Sequence, residues 1–115
     1  MTTLFGIPNC DTVRKARRWL DENEVSYSFH DFRADGLDQA KLQAWIETLG
    51  VDQVVNRRGT SYRKLSDDEK SQLDGDLAYE LIQRIPTLIK RPVLETEALT
   101  TVGFRPEAYA KIFQS

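Results

Sequence analysis

Residues 3–7 (Thr-Leu-Phe-Gly-Ile) form an apolar run of the length expected for a buried strand. Residues 11–24 then carry Val13, Ala16 and Leu20 at helical spacing, with the aliphatic stem of Arg17 beside them. Residues 25–32 (VSYSFHDF) alternate, with Val25, Tyr27, Phe29 and Asp31 on one side, which predicts a second strand. Strand, helix and strand within about 30 residues make a βαβ unit, whose two strands are parallel and joined by a right-handed crossover. The start of the chain therefore predicts an α/β protein.

Between the first strand and the helix lies Ile7-Pro8-Asn9-Cys10-Asp11-Thr12, which holds the only cysteine. Asp11 or Thr12 is expected to cap the helix. A sulfur at a helix N-terminus faces unpaired backbone N–H groups and the positive end of the macrodipole, and both favour a thiolate. The alternative is an inert apolar thiol tucked under the helix. Arg14, Lys15, Arg17 and Arg18 crowd the first half of the helix, against its dipole. Most of them read as a solvated face. Arg14, about one turn beyond Cys10, could favour a thiolate or an anionic ligand there.

The middle of the chain changes character. Asp38 can cap a helix carrying Leu42, Trp45, Ile46 and Leu49, closed by Gly50. Residues 51–55 make a short apolar step, and 56–64 (NRRGTSYRK) a basic loop. Ser66 and Glu69 have capping-box spacing. A further helix is expected from about Asp76, with Leu77, Leu81 and Ile85 stacked and Pro86 ending it. Residues 34–85 thus read as a helical insertion within a single domain whose core is residues 1–33 and 86–115. Residues 86–96 return to β, with Leu88-Ile89 and Val93-Leu94 separated by Lys90-Arg91-Pro92. A proline there marks an edge, a bend or a cis bond. Residues 101–104 suggest a last strand. Pro106 opens a terminal helix with Ala108, Tyr109, Ile112 and Phe113 on its buried face.

Bulk properties narrow the function. At 115 residues with 40% hydrophobic content the chain can build one core, and its net charge of −2 gives no global attraction to nucleic acid or membrane. DNA binding is not expected. No apolar run approaches the roughly 20 residues that span a bilayer, and the N-terminus has no signal-peptide pattern. A single cysteine excludes an internal disulfide, which fits a cytoplasmic setting. One cysteine and one histidine cannot build a structural zinc site, so no metal is expected and His30 reads as a packing or surface residue. Neither glycine-rich nucleotide loop is present. A cysteine phosphatase would need an arginine where Ala16 stands, and no protease signature joins Cys10 to His30. What remains is a thiol at a helix N-terminus and arginines at 57, 58, 91 and 105. Such guanidinium groups suit an oxyanion or a glutathione carboxylate if they converge, and otherwise serve as solubilising charge.

Four pieces in order carry a family resemblance: Phe5-Gly6-Ile7-Pro8-Asn9-Cys10 with Asp11-Thr12-Val13-Arg14-Lys15-Ala16; residues 56–65; Ile89-Lys90-Arg91-Pro92-Val93-Leu94; and Val102-Gly103-Phe104-Arg105-Pro106. Together they resemble the ArsC-like branch of the thioredoxin superfamily, which holds arsenate reductases, Spx regulators and YffB proteins, and most closely the YffB subgroup. The resemblance implies a thioredoxin-like (glutaredoxin-like) mixed sheet flanked by helices, with the helical insertion. It implies Cys10 as nucleophile, Thr12 and Arg14 stabilising its thiolate, and a cis peptide at Arg91-Pro92. It matches Arg91 and Arg105 to two of the three oxyanion-binding arginines of arsenate reductases. The third falls on Asn56 or just after it, where Arg57 or Arg58 could substitute. Val13 stands where dithiol relatives have a resolving cysteine, so the site is monothiol. The expected activity is glutathione-dependent thiol–disulfide reduction of a small anionic or disulfide substrate. Glutathione acts as co-substrate with no bound cofactor, glutathione or a glutaredoxin resolves the mixed disulfide, and the chain is a monomer. The alternatives are a glutaredoxin-coupled arsenate reductase and an Spx-like regulator that binds RNA polymerase.

Overall fold

The computed structural model describes residues 2–113. Four strands form one mixed sheet in the order β2-β1-β3-β4: β1 (Thr3–Gly6), β2 (Ser28–Asp31), β3 (Val93–Glu95) and β4 (Thr100–Val102). β1 pairs parallel with β2 and antiparallel with β3, and β4 is antiparallel to β3. Helix α1 (Asp11–Glu22) makes the crossover from β1 to β2, as the βαβ pattern requires. The helices α2 (Gln39–Leu49), α3 (Val51–Val54), α4 (Thr60–Arg63), α5 (Asp67–Gln72) and α6 (Ala78–Arg84) follow, and α7 (Pro106–Ile112) closes the chain. Two compact units result: Gly36–Lys90 is one, and the segments before and after it form the other.

In the sheet-bearing unit, Leu4 and Leu94 point to the face covered by α1 and α7, where they meet Ala16, Leu20 and Tyr109. Around this centre Trp19, Phe104 and Phe113 pack edge-on against Tyr109, with centroid separations of 5.6, 4.7 and 6.2 Å. Arg17 lies over the ring of Phe29 at 4.2 Å and donates through Nε to the Tyr27 hydroxyl at 3.3 Å. One of the four basic residues of α1 is thus a packing residue.

Tyr109 is buried and its hydroxyl has no hydrogen-bond partner among the described residues; desolvation raises its pKa above the ordinary value near 10. An unsatisfied buried hydroxyl costs about 1–3 kcal/mol. Tyr109→Phe is therefore expected to stabilise the protein by roughly 1 kcal/mol in urea unfolding. The unfolded phenol ionises from about pH 10, whereas the folded one stays neutral. Wild-type stability should fall above that pH, and the variant should lose this part of the decline. An unchanged or lower midpoint for the variant would contradict the burial argument.

In the insertion unit, α2 packs on α3 and α6, while α5 and the 3-10 turn Pro86–Leu88 pack on α6. Trp45, Leu42, Leu73, Leu81, Ile82 and Leu88 are the fully buried large side chains of this unit, together with Ile89. Ile89 forms an isolated antiparallel bridge with Val55. The capping box at Ser66 and Glu69 is present in both directions, at 3.1 and 2.8 Å.

Several expectations shift. The helix after the first strand ends at Glu22 rather than residue 24 because the chain reverses in a Schellman motif. Glu24 adopts φ 57°, its N–H reaches Asp21 and the Val25 N–H reaches Leu20. Val25 thus belongs to the helix end, and the second strand starts only at Ser28. Asp38 sits at the N-cap of α2 without a side-chain bond, and residues 51–54 of the short apolar step form a helical turn. The last insertion helix begins at Ala78, so its buried stripe is Ala78, Leu81 and Ile82, and Leu77 is 51% exposed. Pro86 starts a 3-10 turn, which leaves Leu88 out of any strand. β4 ends at Val102, two residues before the expected Phe104, where Gly103 turns the chain at φ 79°. Ala108 is exposed and Tyr109 takes the centre of the α7 face. Among the described residues no helix is long and apolar enough to cross a membrane.

Candidate active site

The sheet register sets the site. β1 runs out at Gly6, opposite Asp31 of β2, and Phe5 pairs with Val93 at the start of β3. Val93 also pairs with Val102 at the end of β4. The Ile7–Cys10 loop, the Arg91-Pro92 entry to β3 and the exit of β4 therefore share one end of the sheet. Ligands of open α/β sheets bind at such an end, beyond the carboxyl termini of parallel strands.

Cys10 is the N-cap of α1, with φ −99° and ψ 128°, so Asp11 is the first helical residue rather than the cap. Its N–H donates to the Ile7 carbonyl at 3.3 Å, closing a turn over Pro8 and Asn9, and its carbonyl accepts from Arg14 N–H at 2.9 Å. Backbone bonds on both sides thus fix the residue. Its thiol is free, partly exposed and makes no cap hydrogen bond. Three first-turn amides of α1 have no intrahelical acceptor, as at any helix start, and lie at the dipole's positive end.

Gly6 lets the helix start so close to β1. A Cβ there would stand 2.8 Å from Cγ2 of Val13, which is fully buried. Gly6→Ala must displace Val13 or the first turn of α1. The expected cost is about 1–3 kcal/mol, as for other overpacked positions. Chemical denaturation would measure it, and a cost near zero would mean that the strand–helix contact is slack.

Thr12 is exposed. Arg14 Nη1 is held by Asp11 Oδ1 at 3.0 Å on an exposed face, so its charge is partly compensated. The Arg91-Pro92 peptide is cis, Pro92 is buried, and its carbonyl accepts from Gly103 N–H at 2.9 Å. Arg91 is partly buried, with Nε removed from solvent. Arg105 is exposed at the N-cap of α7, two residues beyond that Gly103 bond. The structure thus brings Cys10, Pro92 and the β4 exit of Arg105 to one sheet end.

Arg57 and Arg58 lie in the insertion unit and differ sharply. Arg57 donates to Asp52 at 2.8 Å and to the Tyr62 hydroxyl at 3.3 Å, and has Asp74 at 3.6 Å. Its side chain also lies 5.5 Å from the centre of the Tyr62 ring. The Asp52 and Tyr62 bonds hold its pKa above the ordinary high value. Arg58 is exposed, and its guanidinium has no bonded partner among the described residues. The five-residue separation of Asp52 from Arg57 is not a helix spacing, so no periodicity could reveal that pair. Among the described residues no group of three or more His, Cys, Asp or Glu could hold a metal ion.

The ArsC family profile matches residues 5–112. The chain belongs to the ArsC family. A solved structure described as the YffB protein is 49% identical with a TM-score of 0.91, covering 96% of this chain and 97% of that one. An arsenate reductase (ArsC) related protein from Brucella melitensis is 42% identical with a TM-score of 0.78, covering 99% and 95%. The global transcriptional regulator Spx of Listeria innocua is 32% identical over 93% of this chain and 82% of its own length. This ArsC chain thus has the arsenate reductase-like, thioredoxin-like fold of its family, and its relatives include both an arsenate reductase related protein and a regulator.

Proposed function

We propose that this ArsC-family chain is a monothiol thiol–disulfide reductase that draws its electrons from glutathione. The observation that carries the reading is the position of the lone thiol: N-cap of α1, partly open to solvent, at the sheet end that also holds cis-Pro92. Cys10 thiolate attacks one sulfur of a disulfide R–S–S–R′. A Cys10–S–S–R bond forms, the S–S bond of the substrate breaks, and R′S⁻ leaves and takes a proton from water. The chain has no second cysteine, so an outside thiol must release Cys10. Glutathione or a glutaredoxin does so. Overall, two glutathione thiols supply two electrons and leave as glutathione disulfide. Thr12 and Arg14, in the first turns of α1 beside its unpaired amides, are the residues proposed to assist the attacking sulfur. Arg91 and Arg105 hold the anionic groups of substrate or glutathione.

The test is intact-mass measurement of the protein with oxidised glutathione. One glutathionyl adduct at Cys10, removed by reduced glutathione, is expected. Absence of the adduct, or alkylation of Cys10 by iodoacetamide no faster than of free glutathione at pH 7, would overturn the reading.

The relationship to an arsenate reductase related protein favours arsenate as the second reading. It is decided by arsenate reduction with glutathione and glutaredoxin present. The kinship to Spx gives a third, non-catalytic outcome: a stable complex with the RNA polymerase α C-terminal domain and no thiol turnover.

A further inference from the structure

A cleft of about 590 Å³ lies between the start of α2, the end of α5 and α6, and all of its lining belongs to the insertion unit. Its volume is in the range of small-ligand sites, roughly 300–1,000 Å³. Gln39, Gln72, Tyr79, Glu80, Gln83 and Arg84 line it. Two of these side chains also pin its walls. Gln83 Nε2 donates to the Leu37 carbonyl ahead of α2, and Gln72 Nε2 to the Leu77 carbonyl ahead of α6, each at 3.2 Å. A carboxamide atom that faces a main-chain carbonyl must be the nitrogen, because two carbonyl oxygens repel. Both amide oxygens are therefore held as acceptors, with no donor among the described residues.

The two charges of the cleft are left open as well. Glu80 and Arg84 stand four positions apart on α6, in the order and spacing at which a carboxylate and a cation pair along a helix. No ion pair joins them among the described residues, and Glu80 accepts only a long bond from the Tyr79 hydroxyl, at 3.5 Å. A simple oxyanion in this cleft meets Glu80 and two amide oxygens, and a simple cation meets Arg84. An α-amino-acid zwitterion answers both signs at once. Its ammonium suits Glu80, and its carboxylate suits Arg84 with the Gln39 amide beside it. A side chain bearing N–H groups then suits the oxygens of Gln72 and Gln83, with the Tyr79 ring as an apolar or cation–π wall.

We propose that this cleft binds a free α-amino acid as its zwitterion, one whose side chain carries several N–H donors, as that of arginine does. Glu80 takes the ammonium, Arg84 the carboxylate, and the amide oxygens of Gln72 and Gln83 the side-chain donors. Glu80 and Arg84 are exposed, so water screens both charged contacts and the dissociation constant is on the order of 1 mM. The site uses no sulfur and does not depend on the reductase reading.

The experiment titrates the full ¹⁵N-labelled chain with L-arginine at constant ionic strength, following backbone and glutamine side-chain amide signals. Signals of Gln39, Gln72 and residues 79–84 are expected to move together and saturate. Three further probes each remove one feature of the ligand: agmatine lacks the carboxylate, Nα-acetyl-L-arginine lacks the ammonium, and L-alanine lacks the donor side chain. Each should bind about fivefold more weakly, as for loss of one exposed charged contact. Glu80→Gln should weaken L-arginine about fivefold while leaving Nα-acetyl-L-arginine unchanged, and Arg84→Gln should do the same with agmatine unchanged. Those crossed outcomes match each charge to its partner and cannot come from a damaged fold. Glu47→Gln, which removes a charge from α2 outside this cleft, should change nothing. Absence of saturable shifts with L-arginine overturns the proposal. Equal binding of agmatine, or of L-alanine, overturns it too, because the cleft would then select no zwitterion or no side chain.

Discussion

Replacing Cys10 by serine is expected to abolish adduct formation with oxidised glutathione while leaving the protein at least as stable as before. Disulfide exchange needs a sulfur nucleophile, and a serine hydroxyl offers none at neutral pH. The stability half of the prediction comes from the cap. Cys10 occupies the N-cap of α1 but its side chain bonds to no amide. Serine is among the favoured residues there and can accept from an amide of the first turn, with a gain of roughly 0.5–1 kcal/mol. Turnover and thermal midpoint should therefore move in opposite directions, as when a functional residue is kept at some cost in stability. Mass measurement and thermal unfolding of the same preparation check both. A variant that still forms the adduct removes Cys10 from the chemistry. One that loses activity and melts markedly lower shows a structural role for the sulfur.

The second large effect is Leu4→Ala. Leu4 is fully buried in the central strand and clusters with Ala16 and Leu20 of α1, Leu94 of β3 and Tyr109 of α7. Removing its isobutyl group leaves a cavity bounded by three different elements. The expected loss is about 2–5 kcal/mol, the range for buried Leu→Ala changes. Against a typical total of about 5–15 kcal/mol this is a large share, and the melting temperature should drop by roughly 10 °C or more. Urea unfolding monitored through Trp19, which packs against the same cluster, reports on it directly. A loss below about 1 kcal/mol would mean that the helices collapse into the gap and that the layer is plastic.

The sequence was legible where one periodicity dominates. The alternation after residue 24 and the Val13, Ala16, Leu20 stripe suffice for the βαβ unit, and the 3.6-residue spacing of Leu42 and Trp45 for α2. It was less legible where local bonds compete with the pattern. Val25 has a strand-forming side chain, but its N–H is taken by Leu20, so the strand starts later. Leu77 fits a helical stripe but precedes the first helical residue, and it is exposed. At the site, propensity favours Asp11 or Thr12 as the cap, yet the tight β1–α1 step across Gly6 places Cys10 there. A poor capping residue at a cap position is the kind of local conflict expected at a functional site. The different conditions of Arg57 and Arg58 are invisible in a run of basic residues, because they depend on where Asp52, Asp74 and Tyr62 fall in space.

The pinned backbone of Cys10 has a kinetic consequence. With its N–H and carbonyl both bonded within the loop and helix, the sulfur keeps mainly one internal rotation. On the proposed reading, binding a partner thiol then orders little of the backbone at Cys10. No tethered thiol competes with an incoming one, so there is no intramolecular effective concentration to outrun. The lifetime of the oxidised protein is then set by its surroundings: regeneration should be first order in free thiol over a wide range. If Cys10 is the proposed nucleophile, its single sulfur acts as a gauge of the thiol pool.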